Sequence, residues 1–167
     1  MKMKMRHHLA FVALAAVTLA APVRADLGPY FGVKAGYMDA DAPGHKEALN
    51  LGGLFGYRFF EEPHGSGAIE GEATLTVVDG DRSGGGDWDI NTTAIYFAYR
   101  TAGEVYLKGK AGFAQQNIGG TNAVPDDTDT SFGFGVGWQP TRKAGVELEF
   151  TVYDDVDFLS LGFYSRF

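Results

Sequence analysis

From residue 30 onward, apolar and polar positions alternate along most of the chain. Val105, Leu107, Gly109, Ala111 and Phe113 fall on one side of a strand; Tyr106, Lys108, Lys110 and Gly112 fall on the other. Ala144, Val146, Leu148, Phe150 and Val152 likewise oppose Gly145, Glu147, Glu149, Thr151 and Tyr153. A period of two is the side-chain period of a β-strand. Read this way, the chain divides into eight strands at about 30–39, 48–60, 67–78, 88–100, 104–116, 131–139, 143–153 and 158–167. Clusters of Gly, Pro, Asp and Asn separate them. No stretch carries a helical period.

The separators come in two kinds, and they alternate. EEPHGS, TAG and PTR follow strands two, four and six, whereas DAPGHKEA, DGDRSGGGD, NIGGTNAVPDDTD and DDVD follow strands one, three, five and seven. The first set is generally shorter; the second is longer and acidic. Short turns at one end and longer loops at the other predict an antiparallel up-and-down barrel of the outer-membrane type.

The alternation alone leaves two readings open. A soluble exported barrel, lipocalin-like and able to hold a small apolar ligand, buries the apolar face; a transmembrane barrel turns that face to lipid. Three features favour the membrane. Gly32, Gly36, Gly52, Gly56, Gly112, Gly133, Gly135, Gly137 and Gly162 share the charged face, where a narrow interior needs small neighbours beside long side chains. Phe59, Tyr99, Trp138 and Phe167 are expected at one rim, and Tyr37 and Phe113 toward the other, as in the aromatic girdles of membrane proteins. The last alternating stretch runs to Phe167, which a closed barrel accommodates by pairing the final strand with the first. Strand four is the least regular: Ile95, Phe97 and Tyr99 mark its apolar side, and its first half is too polar to assign.

The front of the chain changes the compartment. MKMKMRHH is basic, LAFVALAAVTLAAP is apolar, and Val23-Arg24-Ala25 offers small residues for a signal peptidase. Cleavage is expected after Ala25, leaving one barrel domain over 26–167. The apolar run is shorter than the roughly 20 residues of a spanning helix. Loss of Lys2, Lys4, Arg6 and Arg24 takes the formal charge from -7 to -11, so a nucleic-acid partner is not expected on electrostatic grounds. With no cysteine, disulfides, thiolate metal sites and a lipid-anchoring cysteine are excluded as well.

FGFGVGWQPTRKAGVELEFTVYDDVDFLSLGFYSRF resembles the closing strands, and GPYFGVKAGY the first strand, of opacity-protein-like and OmpA-like outer-membrane β-barrels. The resemblance covers 26–167 and implies a bacterial outer-membrane protein. It also implies an assembly signal, read by the outer-membrane assembly machinery, at Leu159, Leu161, Phe163 and Phe167. Ser165 departs from that pattern, where a larger residue is common. The peptidoglycan-binding domain of full-length OmpA-like proteins does not follow the barrel, so no cell-wall anchoring is implied.

Nine charged residues fall on the inward face: Lys34, Arg58, Lys108, Lys110 and Arg166 against Glu70, Glu72, Glu147 and Glu149. Shielded charges must be paired or hydrated, and a barrel this narrow is normally filled by side chains. An ion-paired plug with a structural or surface-interaction role is therefore expected, with a narrow pore as the alternative. The loops concentrate carboxylates, among them Asp79, Asp81, Asp87, Asp126, Asp127 and Asp129. They suit contact with divalent cations, lipopolysaccharide or an external partner, although DGDRSGGGD has Ile90 where a calcium loop ends in Glu. No cofactor is expected. Lipid A deacylases among barrels of this size carry His and Ser in their late strands; strands five to eight here contain no histidine, so an enzyme is not expected.

Overall fold

The computed structural model describes residues 27–40, 46–81, 83, 85–120, 127–154 and 156–167. The expected signal peptide, with its cleavage site, lies outside these residues. Eight long strands follow one another: β1 (Gly28–Ala40), β2 (Ala48–Glu62), β3 (Gly65–Val78), β4 (Asp87–Thr101), β5 (Val105–Gly120), β6 (Asp127–Thr141), β7 (Ala144–Val152) and β8 (Val156–Arg166). A two-residue strand, Gly80–Asp81, pairs with Trp88 and Asp87 at the top of β4. Each long strand pairs antiparallel with its sequence neighbours, and β1 pairs with β8 over Tyr30 to Ala40, so the sheet closes on itself. Closure leaves no unpaired edge, the condition for a sheet to cross a membrane.

Strand existence and order follow the sequence pattern. Several strands are longer than expected on the loop side. Strand β5 runs on to Gly120 and β6 starts at Asp127, because Gln116 pairs across to Asp127 above the apolar stretch.

The register sets the dimensions. Traced one way, the ladder row through Val33 passes Gly53, Ala73, Thr93 and Gln115 to Thr128. Traced the other way, it passes Phe163 and Val146 to Trp138. The two ends lie ten residues apart on β6. With strands about 4.8 Å apart and about 3.3 Å per residue, that stagger tilts the strands by roughly 40° and gives a backbone radius of about 8 Å.

Burial is inverted relative to a soluble protein. Phe134 is 64% exposed, Leu107 64% and Phe55 60%, whereas Glu70 is 0% and Lys108 3% exposed. A soluble lipocalin-like barrel buries the opposite face, so that reading is overturned. Only a lipid surround makes an apolar exterior favourable.

Aromatic side chains gather at the short-turn rim. Phe167 stacks on Phe31 at 5.2 Å between ring centres. The Tyr99 hydroxyl donates to the His64 carbonyl and the Trp138 indole N–H to Glu104 Oε1, which suits rings with one end apolar and the other wet. A register shift between Arg58 and Phe60 bulges β2, and Phe60 then lies over Gly67, whose missing Cβ would sit 2.1 Å from the ring.

The inward glycines do more than leave space beside charges. A Cβ at Gly56 would meet the Tyr30 ring at 2.2 Å, one at Gly137 the Tyr106 ring at 2.1 Å, and one at Gly145 the Tyr164 hydroxyl at 2.6 Å. Each makes room for a tyrosine lying across the interior. Gly56→Val should therefore destabilise the barrel by about 1–3 kcal/mol, read as the urea midpoint of unfolding from detergent or bilayer. Gly109→Val, on the lipid face with nothing within 4 Å of its Cβ position, should leave that midpoint near wild type. Equal losses at both sites would contradict this account of the interior.

Candidate functional site: the filled lumen

The inward face is layered along the barrel. At the loop end Met38, Ala48, Trp88, Ile90, Ala114, Tyr153, Val156 and Phe158 form a buried apolar cluster. The Trp88 N–H donates to the Lys46 carbonyl, tying this layer to the β1–β2 loop. Below it comes a hydroxyl and amide belt. Thr74 bonds Thr92 at 2.8 Å, Tyr96 bonds Ser131 at 2.9 Å, and Asn50 donates to the Ile90 carbonyl. Charged residues fill the next layer, and Tyr30, Leu54, Ala68, Tyr106 and Tyr164 pack beneath them.

The charged layer is built from strand doublets. Glu70 and Glu72 on β3, Lys108 and Lys110 on β5, and Glu147 and Glu149 on β7 each point inward two residues apart, as a strand requires. Lys34 enters from β1 and Arg100 from β4. Lys108 Nζ lies 2.9 Å from Glu70 Oε2, 3.0 Å from Glu147 Oε2 and 2.8 Å from Glu149 Oε2. Lys34 and Lys110 both bridge Glu72 and Glu149 at 2.7–2.8 Å. Arg100 spans Glu70 at 2.6 Å and Glu147 at 2.7 Å. Four cations thus meet four carboxylates, all at most 5% exposed.

Aromatic groups complete the enclosure. The hydroxyls of Tyr30 and Tyr106 donate to Glu70 and Glu147. Lys110 Nζ sits 4.1 Å above the Tyr96 ring, and Arg100 stacks against Tyr30 and Tyr164. Such contacts favour a cation withdrawn from water. This arrangement can hold eight strands in one register.

Seven of the nine charged residues read from the sequence meet in this network. Arg58 and Arg166 do not. Arg58 pairs with Glu61 at 3.1 Å near the short-turn mouth, and Arg166 donates to Gln139, the Tyr164 hydroxyl and the Arg142 carbonyl. Strand stagger places them below the carboxylates. Arg100 was missed, although it shares the polar phase opposite Ile95, Phe97 and Tyr99. The apolar loop-end layer was also missed; its sequence signal is Met38, Trp88, Ile90 and Phe158 occupying polar-phase positions near strand ends.

Leu159, Leu161 and Phe163 face outward on β8, and Phe167 is 75% exposed. Asp79, Asp81 and Asp87 lie exposed at the loop end, with Asp81 paired to Lys46 at 2.7 Å. Asp129 is half-buried in β6. Asp126 and the side chain of Asp127 fall outside the described residues. Among the described residues, no three acidic or histidine side chains converge as a metal site would require.

Removing one partner of a buried ion pair strands the other, at about 3–5 kcal/mol. Lys108→Ala and Glu147→Ala should each show a loss of that size in equilibrium unfolding. The double variant should lose less than the sum, by about 0.5–3 kcal/mol of coupling. Additive losses would mean that the two side chains do not act as partners.

Comparison with known proteins agrees with this geometry. Attachment invasion locus protein Ail of Yersinia pestis, solved with the heparin analogue sucrose octasulfate, is 17% identical with a TM-score of 0.55, over 84% of this chain and 97% of that one. Neisserial surface protein A is 11% identical with a TM-score of 0.56, over 85% and 97%. The outer membrane enzyme PagL is 14% identical with a TM-score of 0.53, over 83% and 99%. At these identities the likeness speaks for the fold alone. No curated protein sequence matches. The model of the outer membrane protein beta-barrel domain matches residues 9–162, and the chain belongs to that family.

Proposed function

We propose that this protein is a closed scaffold of the bacterial outer membrane that presents acidic loops to the cell exterior and conducts no ions. The observation that carries this reading is the neutral eight-charge network across the lumen. The apolar layer above it is a second barrier that charge removal leaves intact. The short turns face the periplasm, as in barrels of this kind. Phe167 and the outward Leu159, Leu161 and Phe163 serve as the assembly signal in this reading.

Function then lies at the loop end. Asp39, Asp79, Asp81, Asp87 and Asp154 are exposed there, offset by Lys46. A surface of that sign favours a cationic partner, or divalent cations shared with lipopolysaccharide phosphates. It disfavours a sulfated polyanion such as the one bound by Ail. Catalysis is not part of this reading: β5 to β8 supply no histidine, and the described His64 sits in the β2–β3 turn at the opposite end.

Planar-bilayer recording tests the scaffold directly. The wild-type protein should give no unitary conductance steps, and Lys108→Ala should stay silent too because Trp88, Ile90 and Phe158 still close the loop end. Regular steps from the wild type would sink the closed reading. Heparin binding should be undetectable at physiological salt; a saturable, salt-sensitive signal would reverse the loop assignment.

A further inference from the structure

We infer that the short-turn mouth of the barrel is a binding site for a small oxyanion, with the Arg58 guanidinium as its main ligand. A cavity of about 90 Å³ opens there between the β2–β3 and β4–β5 turns. Arg58, Glu61, Ser66, Arg100, Tyr106 and Gln139 are its principal lining residues. A space of that size exceeds the need of one water several-fold, and it admits a carboxylate or phosphate group.

The inner wall is already compensated. Arg100 is engaged by Glu70 and Glu147, and Tyr106 donates to Glu147. Arg58 is different. It is 5% exposed, yet its one ion pair runs from Nη1 to Glu61, whose side chain is 38% exposed at the rim. Among the described residues its Nε–H has no hydrogen-bond partner. A guanidinium offers five donors in a planar fork that matches carboxylate and phosphate oxygens.

Arg166 strengthens the field. It donates from Nη2 to Gln139, which lines the cavity, and among the described residues its own Nε–H has no hydrogen-bond partner. Its remaining donors go to neutral oxygens on Gln139, Tyr164 and Arg142. Arg166 thus adds a second cation behind the lining residue Gln139, in a chain whose formal charge is -7. Glu62 also borders the cavity but is exposed, so solvent and salt screen it. Glu61 is the internal competitor: an i,i+3 carboxylate that holds Arg58 until an external oxyanion displaces it.

The test uses the mature protein in maltoside micelles, which contain no phosphate. Inorganic phosphate is titrated while the side-chain Nε–Hε signals of Arg58 and Arg166 are followed by NMR. Both signals should shift saturably. Glu61→Gln, which removes the rim carboxylate that competes for Arg58, should tighten binding several-fold, and Arg58→Gln should abolish saturation. A second arm uses nanodiscs containing phosphatidylglycerol, without added phosphate. A shift arising only there would assign the anion to a lipid headgroup, whereas saturation in micelles assigns it to a free anion. No saturable shift in either setting, or weaker binding by Glu61→Gln, would overturn the site.

Discussion

Eight strands staggered by ten residues enclose a tube of about 8 Å backbone radius, and most features of this protein follow from filling it. Side chains projecting inward from opposite walls must meet. A long side chain can also lie over the neighbouring strand where its cross-strand partner is glycine: Gly56 is the partner of Tyr30 and Gly137 of Tyr106, and each ring covers the space that a Cβ would take. Once charges meet away from bulk water they must be matched. The interior accordingly carries alternating strands of one sign: Lys34 on β1, glutamates on β3, lysines on β5 and glutamates on β7, with Arg100 joining two of the carboxylates.

The filling is not uniform along the axis. The loop end is closed by an apolar layer, the centre by ion pairs, and the short-turn end by tyrosines with a small polar cavity beneath. In the closed scaffold proposed above, the apolar layer and the ion-paired layer block ions for different reasons. The first offers no ligands to replace hydration; the second fills the section with fixed side chains. A change that weakens one leaves the other standing. The two ends of the barrel also differ chemically: the outer loops are acidic, and the inner mouth holds two arginines.

The exterior meets lipid, and its details follow from that. Apolar side chains cover the wall, rings with a polar tip sit at the short-turn rim, and the bulge at Phe59 lets Phe60 cover Gly67. The wall says little about activity. The same architecture carries an attachment protein and an enzyme among the similar structures, so what distinguishes members must lie in loops and lumen.

Strand number and the sorting of residues into two faces were legible in the sequence, because a period of two is a local property of each segment; which face turns inward was legible only from the glycines beside the charges, the aromatic positions at the rims and the strand that runs to Phe167. Lys34, Glu70, Glu72, Lys108, Lys110, Glu147 and Glu149 were legible as inward residues for the same reason. Arg100 was not, because Trp88 and Ile90 occupy the polar phase in the first half of β4 and blur its face. Nor could periodicity separate Arg58 and Arg166 from the network. A period assigns a side chain to a face, but its height on the wall depends on how each strand slides against its neighbours. That stagger arises only when the sheet closes. The tertiary structure therefore decided which charges pair, which layer fills the loop end, and which arginines are left outside the network.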